Sequence, residues 1–329
     1  MRHQNILVIG GAGFIGGHLV ARLAADGRRV TVPSRRRETG KRLILLPTVD
    51  VVDADVNDAA TLAKLVDGQD AVINLVGILH GDAGRPYGKA FAGAHVALPE
   101  RIVAACREAG VTRLLHMSAL GADAHGASMY LRSKADGEKV LAASTLATTT
   151  LATTIFRPSV VFGHDDRFMN LFASLQRFFP IVPLARAGTR FQPVFVEDVA
   201  SAFVAALDDS DTFARTYELA GPRIYTLAEL VRMAGAWRAG GNGRARLVLP
   251  LPDFLGRLQA TFLEFAPGPT MMSRDNFDSM QSDNIATGRC PGLSDLGIEA
   301  VPLEQEAPIY LARKSRRSHL DHLRDRAHR

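Results

Sequence analysis

Residues 10–16 read Gly-Gly-Ala-Gly-Phe-Ile-Gly, directly after the apolar run 5–9 and directly before a segment in which Phe14, Ile15, Leu19, Val20 and Leu23 recur at helical spacing. A strand that turns over glycines into a helix constrains the fold strongly, because it is the opening unit of a parallel α/β sheet. Gly10 and Gly13 are expected to supply backbone with positive φ. Gly16 is expected to let the helix lie close to the strand. The amides of Phe14 and Ile15 open the helix, and the exposed peptide NH groups and dipole of such an end attract a diphosphate.

The first half of the chain continues the alternation. Strands are expected at 5–9, 29–32, 48–52, 70–75, 113–117 and 153–157. Helices are expected at 14–25, 59–66, 87–109 and 129–143, with Gly27 and Gly110 placed to end two of them. The fold class is therefore α/β, a doubly wound parallel-sheet Rossmann fold with a smaller C-terminal substrate lobe. Beyond Phe162 the alternation breaks and Pro180, Pro183, Pro193, Pro250 and Pro252 punctuate shorter elements. This gives a Rossmann domain at 1–162 and 190–220, a substrate lobe at 163–189 and 221–312, and a tail at 313–329. A tandem Thr-Leu-Ala-Thr-Thr at 145–149 and 150–154 reads as a duplication that lengthens a surface loop.

Composition narrows the class further. With 329 residues, 47% of them hydrophobic and 22% charged, the chain is globular material long enough for such a two-part body. Cys106 and Cys290 have no disulfide or metal spacing, and no histidine pair has it either, so no metal site is expected and a reducing, cytoplasmic setting fits. Gly10 interrupts the apolar start too early for a signal-peptide core, and no run is as long as a membrane span. The tail 313–329 carries seven Arg or Lys against Asp321 and Asp325, a net +5 equal to that of the whole chain. A nearly neutral body argues against a nucleic-acid partner. The tail itself suits a solvated end or a peripheral contact with an anionic membrane face.

The second strand ends in Ser34-Arg35-Arg36-Arg37, where an NAD site would usually place a carboxylate for the ribose 2′-hydroxyl. Guanidinium groups favour a 2′-phosphate, so NADP(H) is expected in preference to NAD(H). Asp55 and Val56 follow the third strand where an adenine edge would be read, and Leu75, Val76 and Gly77 end the fourth, at the ligand-binding edge of an open sheet.

Tyr130 and Lys134 lie four apart on one expected helix face, after Ser118 at the end of the fifth strand. A nearby ammonium is expected to favour the phenolate of Tyr130, and Ser118 to donate a hydrogen bond to a substrate oxygen.

These residues resemble the extended and atypical short-chain dehydrogenase/reductases, the NAD-dependent epimerase/dehydratase-like superfamily, over nearly the full chain. ALGADA at 119–124, YLRSKADGEKVL at 130–141, FRPSVVFGHDDRFMNLFA at 156–173 and RFQPVFVEDVA at 190–200 resemble more narrowly the branch containing the NADPH-binding ninth alpha-subcomplex subunit of respiratory complex I and its bacterial relatives. The resemblance implies pyrophosphate at Gly10, Gly13 and Gly16, 2′-phosphate at Arg35 and Arg36, adenine at Asp55 and Val56, and a catalytic Ser118, Tyr130 and Lys134. It also implies that Arg157, Pro158 and Val160 line the nicotinamide side. His95 stands where sugar epimerases carry an Asn of the proton relay, and no nucleotide-sugar clamp follows Phe162. The expected function is NADP(H)-linked hydride transfer on an unknown small molecule. The alternatives are a non-catalytic accessory protein of a respiratory NADH:quinone oxidoreductase complex and a nucleotide-sugar epimerase or dehydratase.

Overall fold

The computed structural model describes residues 2–147, 151–179, 181–238, 246–264 and 272–312. The basic tail 313–329 therefore lies outside the described residues.

Six strands follow the sequence pattern: β1 (Asn5–Ile9), β2 (Arg29–Ser34), β3 (Val49–Asp53), β4 (Ala71–Asn74), β5 (Arg113–Met117) and β6 (Ala152–Pro158). A seventh, Arg215–Leu219, closes one edge and carries too little apolar periodicity to be read from sequence. The order across the sheet runs from the Arg215–Leu219 strand through β6, β5, β4, β1 and β2 to β3, and every pairing is parallel. Connections leave β1 toward β3 on one side and then return to β4 on the other. The crevice at the carboxyl ends of β1 and β4 is thus the switch point where open α/β sheets hold ligands.

Alternation along β1 explains why both faces of the sheet are covered. Ile6 and Val8 enter a core with Leu19, Val20 and Leu23 of α1 (Phe14–Ala25) and with Phe203 and Ala206 of the helix Val196–Leu207. Leu7 and Ile9 enter the opposite core with Leu62 and Val66 of α2 (Ala59–Val66). Each of these fully buried aliphatic side chains contributes about 1.5–3 kcal/mol. Arg113 is buried on this sheet as well, donating to the Ala206, Leu207 and Ala152 carbonyls, and desolvation lowers its pKa to about 10.

Two local expectations need correction. The segment 87–109 is not one regular helix: α3 (Lys89–Ala92) runs through a π-turn at Gly93–Ala97 into α4 (Leu98–Ala109). The second copy of the Thr-Leu-Ala-Thr-Thr repeat is not surface loop. Leu151, Thr153 and Thr154 are buried as the chain enters β6, because burial of a central strand outweighs the loop-like look of a repeated polar pattern. The first copy begins in the last turn of α5 (Met129–Ala147), and 148–150 lie outside the described residues.

Beyond Phe162 smaller elements pack on a separate cluster built from Phe162, Met169, Val182, Leu230, Val231 and Leu303. A two-stranded parallel ribbon, Ile181–Ala185 with Leu247–Leu251, and the helices Phe168–Phe178, Leu227–Arg238 and Leu303–Leu311 contribute to it.

Candidate active site

The glycine turn forms as the spacing predicts, with one difference. Gly10 has φ +86°, a left-handed conformation, and a Cβ there would meet the Leu75 carbonyl carbon at 3.2 Å. Gly13, expected at positive φ, is extended instead (φ −78°, ψ −178°), because it serves as the residue that starts α1. Its NH donates to the Gly10 carbonyl at 3.0 Å, which tightens the turn, and Gly17 NH makes the first helical bond back to Gly13. Among the described residues no side chain caps α1, so the first peptide NH groups of this helix, those of Phe14 and Ile15, have no side-chain acceptor. Gly16 cannot carry a side chain: a Cβ would lie 2.4 Å from the Gly10 carbonyl oxygen.

Opposite the turn, Leu75 NH donates to Ile9 and Val76 NH to the Asn74 side chain. The Asn74 amide nitrogen in turn donates to Nδ1 of His116, its register partner on β5, at 3.1 Å. His116 is buried, and desolvation together with the Lys134 charge lowers its pKa to about 3.

At the end of β2, Ser34 closes its own turn, donating to the Arg36 carbonyl and sharing a hydrogen bond with Thr39. The Arg35 and Arg36 guanidinium groups are exposed and form no ion pair among the described residues. Asp55 accepts from the backbone and side-chain NH groups of Asn57, which lowers its pKa, and Arg35 is near enough to add to the effect. Val56 is half-buried beside it and packs against the core that includes α2.

Ser118 lies one residue past the Met117 carbonyl that the Lys134 ammonium holds, and Tyr130 lies one turn before Lys134 at the start of α5. Ser118 NH donates to Phe156 at 2.7 Å and Leu120 NH to Pro158 at 3.0 Å, so β5 continues to pair with β6 past its last regular residue. This holds Ser118 at 3% exposure, its hydroxyl oxygen without a hydrogen-bond partner among the described residues. Lys134 is also buried, and its Nζ donates to the Met117 carbonyl at 3.1 Å. Burial lowers its pKa to about 8 although Glu138 opposes the shift. Tyr130, one turn before Lys134 in α5, is half-buried, and desolvation raises its pKa to about 12.

Glu138, one turn beyond Lys134, is held in a two-pronged pair by Arg157 of β6. Arg157 thus supports the wall of the site through Glu138, and Pro158 and Val160 continue that wall. The Val160 NH donates to the Asn284 side chain at 3.0 Å. Gly77 packs directly over Lys134: a Cβ there would lie 3.1 Å from Nζ. Sequence reasoning missed Glu138, Ser133 and Asp275, whose roles depend on distant partners. It placed His95 near the cleft without a contact. Among the described residues no group of His, Cys, Asp or Glu is arranged to hold a metal ion, and no helix is long and apolar enough to cross a membrane.

The chain has relatives among known proteins. The mouse mitochondrial NADH dehydrogenase [ubiquinone] 1 alpha subcomplex subunit 9 is 32% identical over 93% of this chain and 79% of its own length. Ceramide reductase of Caulobacter vibrioides is 30% identical over 76% of this chain and 75% of its own. The solved structure of MoeE5 in complex with UDP-glucose and NAD superposes with a TM-score of 0.66 at 20% identity, covering 93% of this chain and 97% of that one, which is a likeness of fold. The model of the NAD dependent epimerase/dehydratase family matches residues 6–220. With the glycine turn at its switch point and close relatives across most of its length, the chain belongs to the NAD dependent epimerase/dehydratase family.

Proposed function

We propose that this protein is an NADP(H)-dependent oxidoreductase in which Ser118, Tyr130 and Lys134 form the proton relay. The observation that carries the reading is the buried Ser118 hydroxyl without a partner, one residue beyond the Met117 carbonyl that holds the Lys134 ammonium. A buried polar group left unpaired costs about 1–3 kcal/mol, and a substrate oxygen would satisfy this one.

The turn suits a dinucleotide: Gly10, Gly13 and Gly16 let the backbone fold back on itself where a Cβ would crowd it, and the uncapped NH groups of Phe14 and Ile15 suit a pyrophosphate. Ser34, Arg35 and Arg36 would hold a 2′-phosphate, Asp55 and Val56 the adenine, Leu75, Val76 and Gly77 the floor, and Arg157, Pro158 and Val160 the nicotinamide side. When bound, the nicotinamide supplies or accepts a hydride at its C4. Tyr130, its pKa raised by desolvation, gives its proton to the substrate oxygen while Ser118 donates a hydrogen bond to it, the direction that reduces a carbonyl. Lys134, with a pKa of about 8, is able to replace that proton near neutral pH.

A second reading is a cofactor-retaining accessory role at the inner membrane face beside a respiratory NADH:quinone oxidoreductase. It is favoured by the 93% coverage by the complex subunit. Tyr130→Phe separates the two. Under the leading reading the variant loses NADPH-linked reduction of a carbonyl panel while binding NADPH within a few-fold of the parent. Turnover that survives the substitution overturns the relay, and an inactive parent that retains NADPH through purification supports the accessory role.

A further inference from the structure

A π-turn widens a helix by one residue and re-aims a side chain. The turn at Gly93–Ala97 aims His95 inward, where it is 1% exposed. Both ring nitrogens are engaged. Ile78 NH donates to Nε2 at 3.0 Å, so that nitrogen carries no hydrogen. Nδ1 must then carry it and donate to the Ser133 hydroxyl at 2.8 Å, while Ser133 donates its own proton to the Tyr130 carbonyl at 2.9 Å. The Tyr130 ring meets the imidazole edge-on with centroids 5.6 Å apart. At Gly137 a Cβ would sit 2.1 Å from the His95 carbonyl oxygen, so α5 can approach the π-turn this closely only with glycine there.

The residue that follows β4 is what this network holds. A Cβ on Gly77 would be 3.1 Å from Lys134 Nζ and 3.9 Å from His95 Nε2. The Gly77–Ile78 peptide is therefore wedged between the ammonium and the imidazole. His95 touches no group of the relay through its polar atoms except by way of Ser133.

We propose that His95 is the positioning residue of this site: it pins the Gly77–Ile78 peptide over the Lys134 ammonium and ties it to the helical turn that carries Tyr130. Its consequence for turnover rests on the oxidoreductase reading above. Its consequence for Lys134 does not, because the peptide lies against the buried ammonium whether or not a nucleotide is bound. The charged and titratable groups that act on Lys134 are Glu138 on its own helix, His95 from the π-turn and His116 from β5, with Tyr130 one turn away on the same helix. Desolvation keeps His95 neutral down to a pKa of about 2, so replacing it removes a lid and no charge.

The test compares His95→Phe, His95→Gln and Ser133→Ala in the full chain without added nucleotide. Competitive amine labelling across pH, read by mass spectrometry at Lys134, gives its titration midpoint, and fluorescence titration gives NADPH affinity. His95→Phe should raise the Lys134 midpoint by about one pH unit, a tenfold change in its protonation equilibrium. His95→Gln, which offers an acceptor of similar reach to the Ile78 NH, should recover most of that shift, and Ser133→Ala should give a smaller rise. An unchanged midpoint in His95→Phe overturns the proposal. Should that variant not fold, an unchanged midpoint in Ser133→Ala together with a Gln variant that behaves no better than Phe overturns it equally. Loss of NADPH binding by the parent protein would defeat the cofactor reading alone, since the Lys134 midpoint is measured without nucleotide.

Discussion

The Asp275 carboxylate accepts the backbone NH of Tyr130 at 3.1 Å and that of Met129 at 2.6 Å, although Asp275 lies 145 residues further along the chain than Tyr130. The helix bearing Tyr130 and Lys134 is thereby capped from the region beyond the sheet, which ties the start of α5 to the helix Arg274–Ser279.

Removing this cap should loosen the start of α5. Asp275→Ala is expected to cost about 1–2 kcal/mol in denaturant unfolding, with Asp275→Asn losing less because it keeps an acceptor. Amide exchange at Met129 and Tyr130 should quicken in the same variants. Unchanged exchange at those two amides would show that the cap does not hold the helix end.

The glycines of α1 make opposite forecasts at adjacent positions. Gly16→Ala drives a methyl to 2.4 Å from the Gly10 oxygen and 2.6 Å from the Gly11 Cα, both backbone, so the turn must shift. A loss of about 1–3 kcal/mol and of NADPH binding is expected. Gly17→Ala meets nothing within 4 Å and sits in a helix, where it should gain about 0.5–1 kcal/mol. Thermal unfolding and nucleotide titration of the pair decide the matter, and equal effects at both positions would count against the close helix-to-turn contact.

Selectivity should follow the basic end of β2. Arg35→Ala combined with Arg36→Ala is expected to weaken NADPH by about 1–3 kcal/mol for lost charge-assisted hydrogen bonds and to leave NADH nearly unchanged. Calorimetry with both nucleotides reads the difference. Equal weakening would remove the case for a 2′-phosphate site.

Acid should destabilise the fold through its buried imidazoles. Desolvation and the Lys134 charge hold His116 neutral down to about 3, whereas an unfolded imidazole binds a proton near a pKa of about 6.5. Between those values the unfolded chain carries a proton that the folded chain refuses, so stability falls as pH falls, by up to about 1.4 kcal/mol per pH unit. His95 acts in the same sense. Urea unfolding at about pH 7.5 and about pH 5 should show His116→Gln losing less stability than the parent on acidification, and parallel losses would exclude this cause.

Much of the sheet was legible because its strands are apolar and its helices periodic over short windows. β1, α1, α2 and β5 lie where the pattern puts them. The Arg215–Leu219 edge strand, with Arg215, Thr216 and Glu218 among its five residues, carries no such signal and is set by pairing with β6. The break in the helix at Gly93–Ala97 was equally hidden, since its residues are compatible with an ordinary helix and the widened turn follows from packing against α5.

The sequence alone determined which segments become strands β1 to β6, the glycine turn and the four-residue spacing of Tyr130 and Lys134, because each depends on backbone geometry and periodicity within a few residues. Only the tertiary structure decided that Gly13 is extended, that desolvation raises the Tyr130 pKa, and that His95, Glu138 and Asp275 hold the segments carrying Tyr130 and Lys134. Those outcomes depend on how deeply a group is buried and on which distant group meets it there, and both are fixed by packing between segments far apart in the chain.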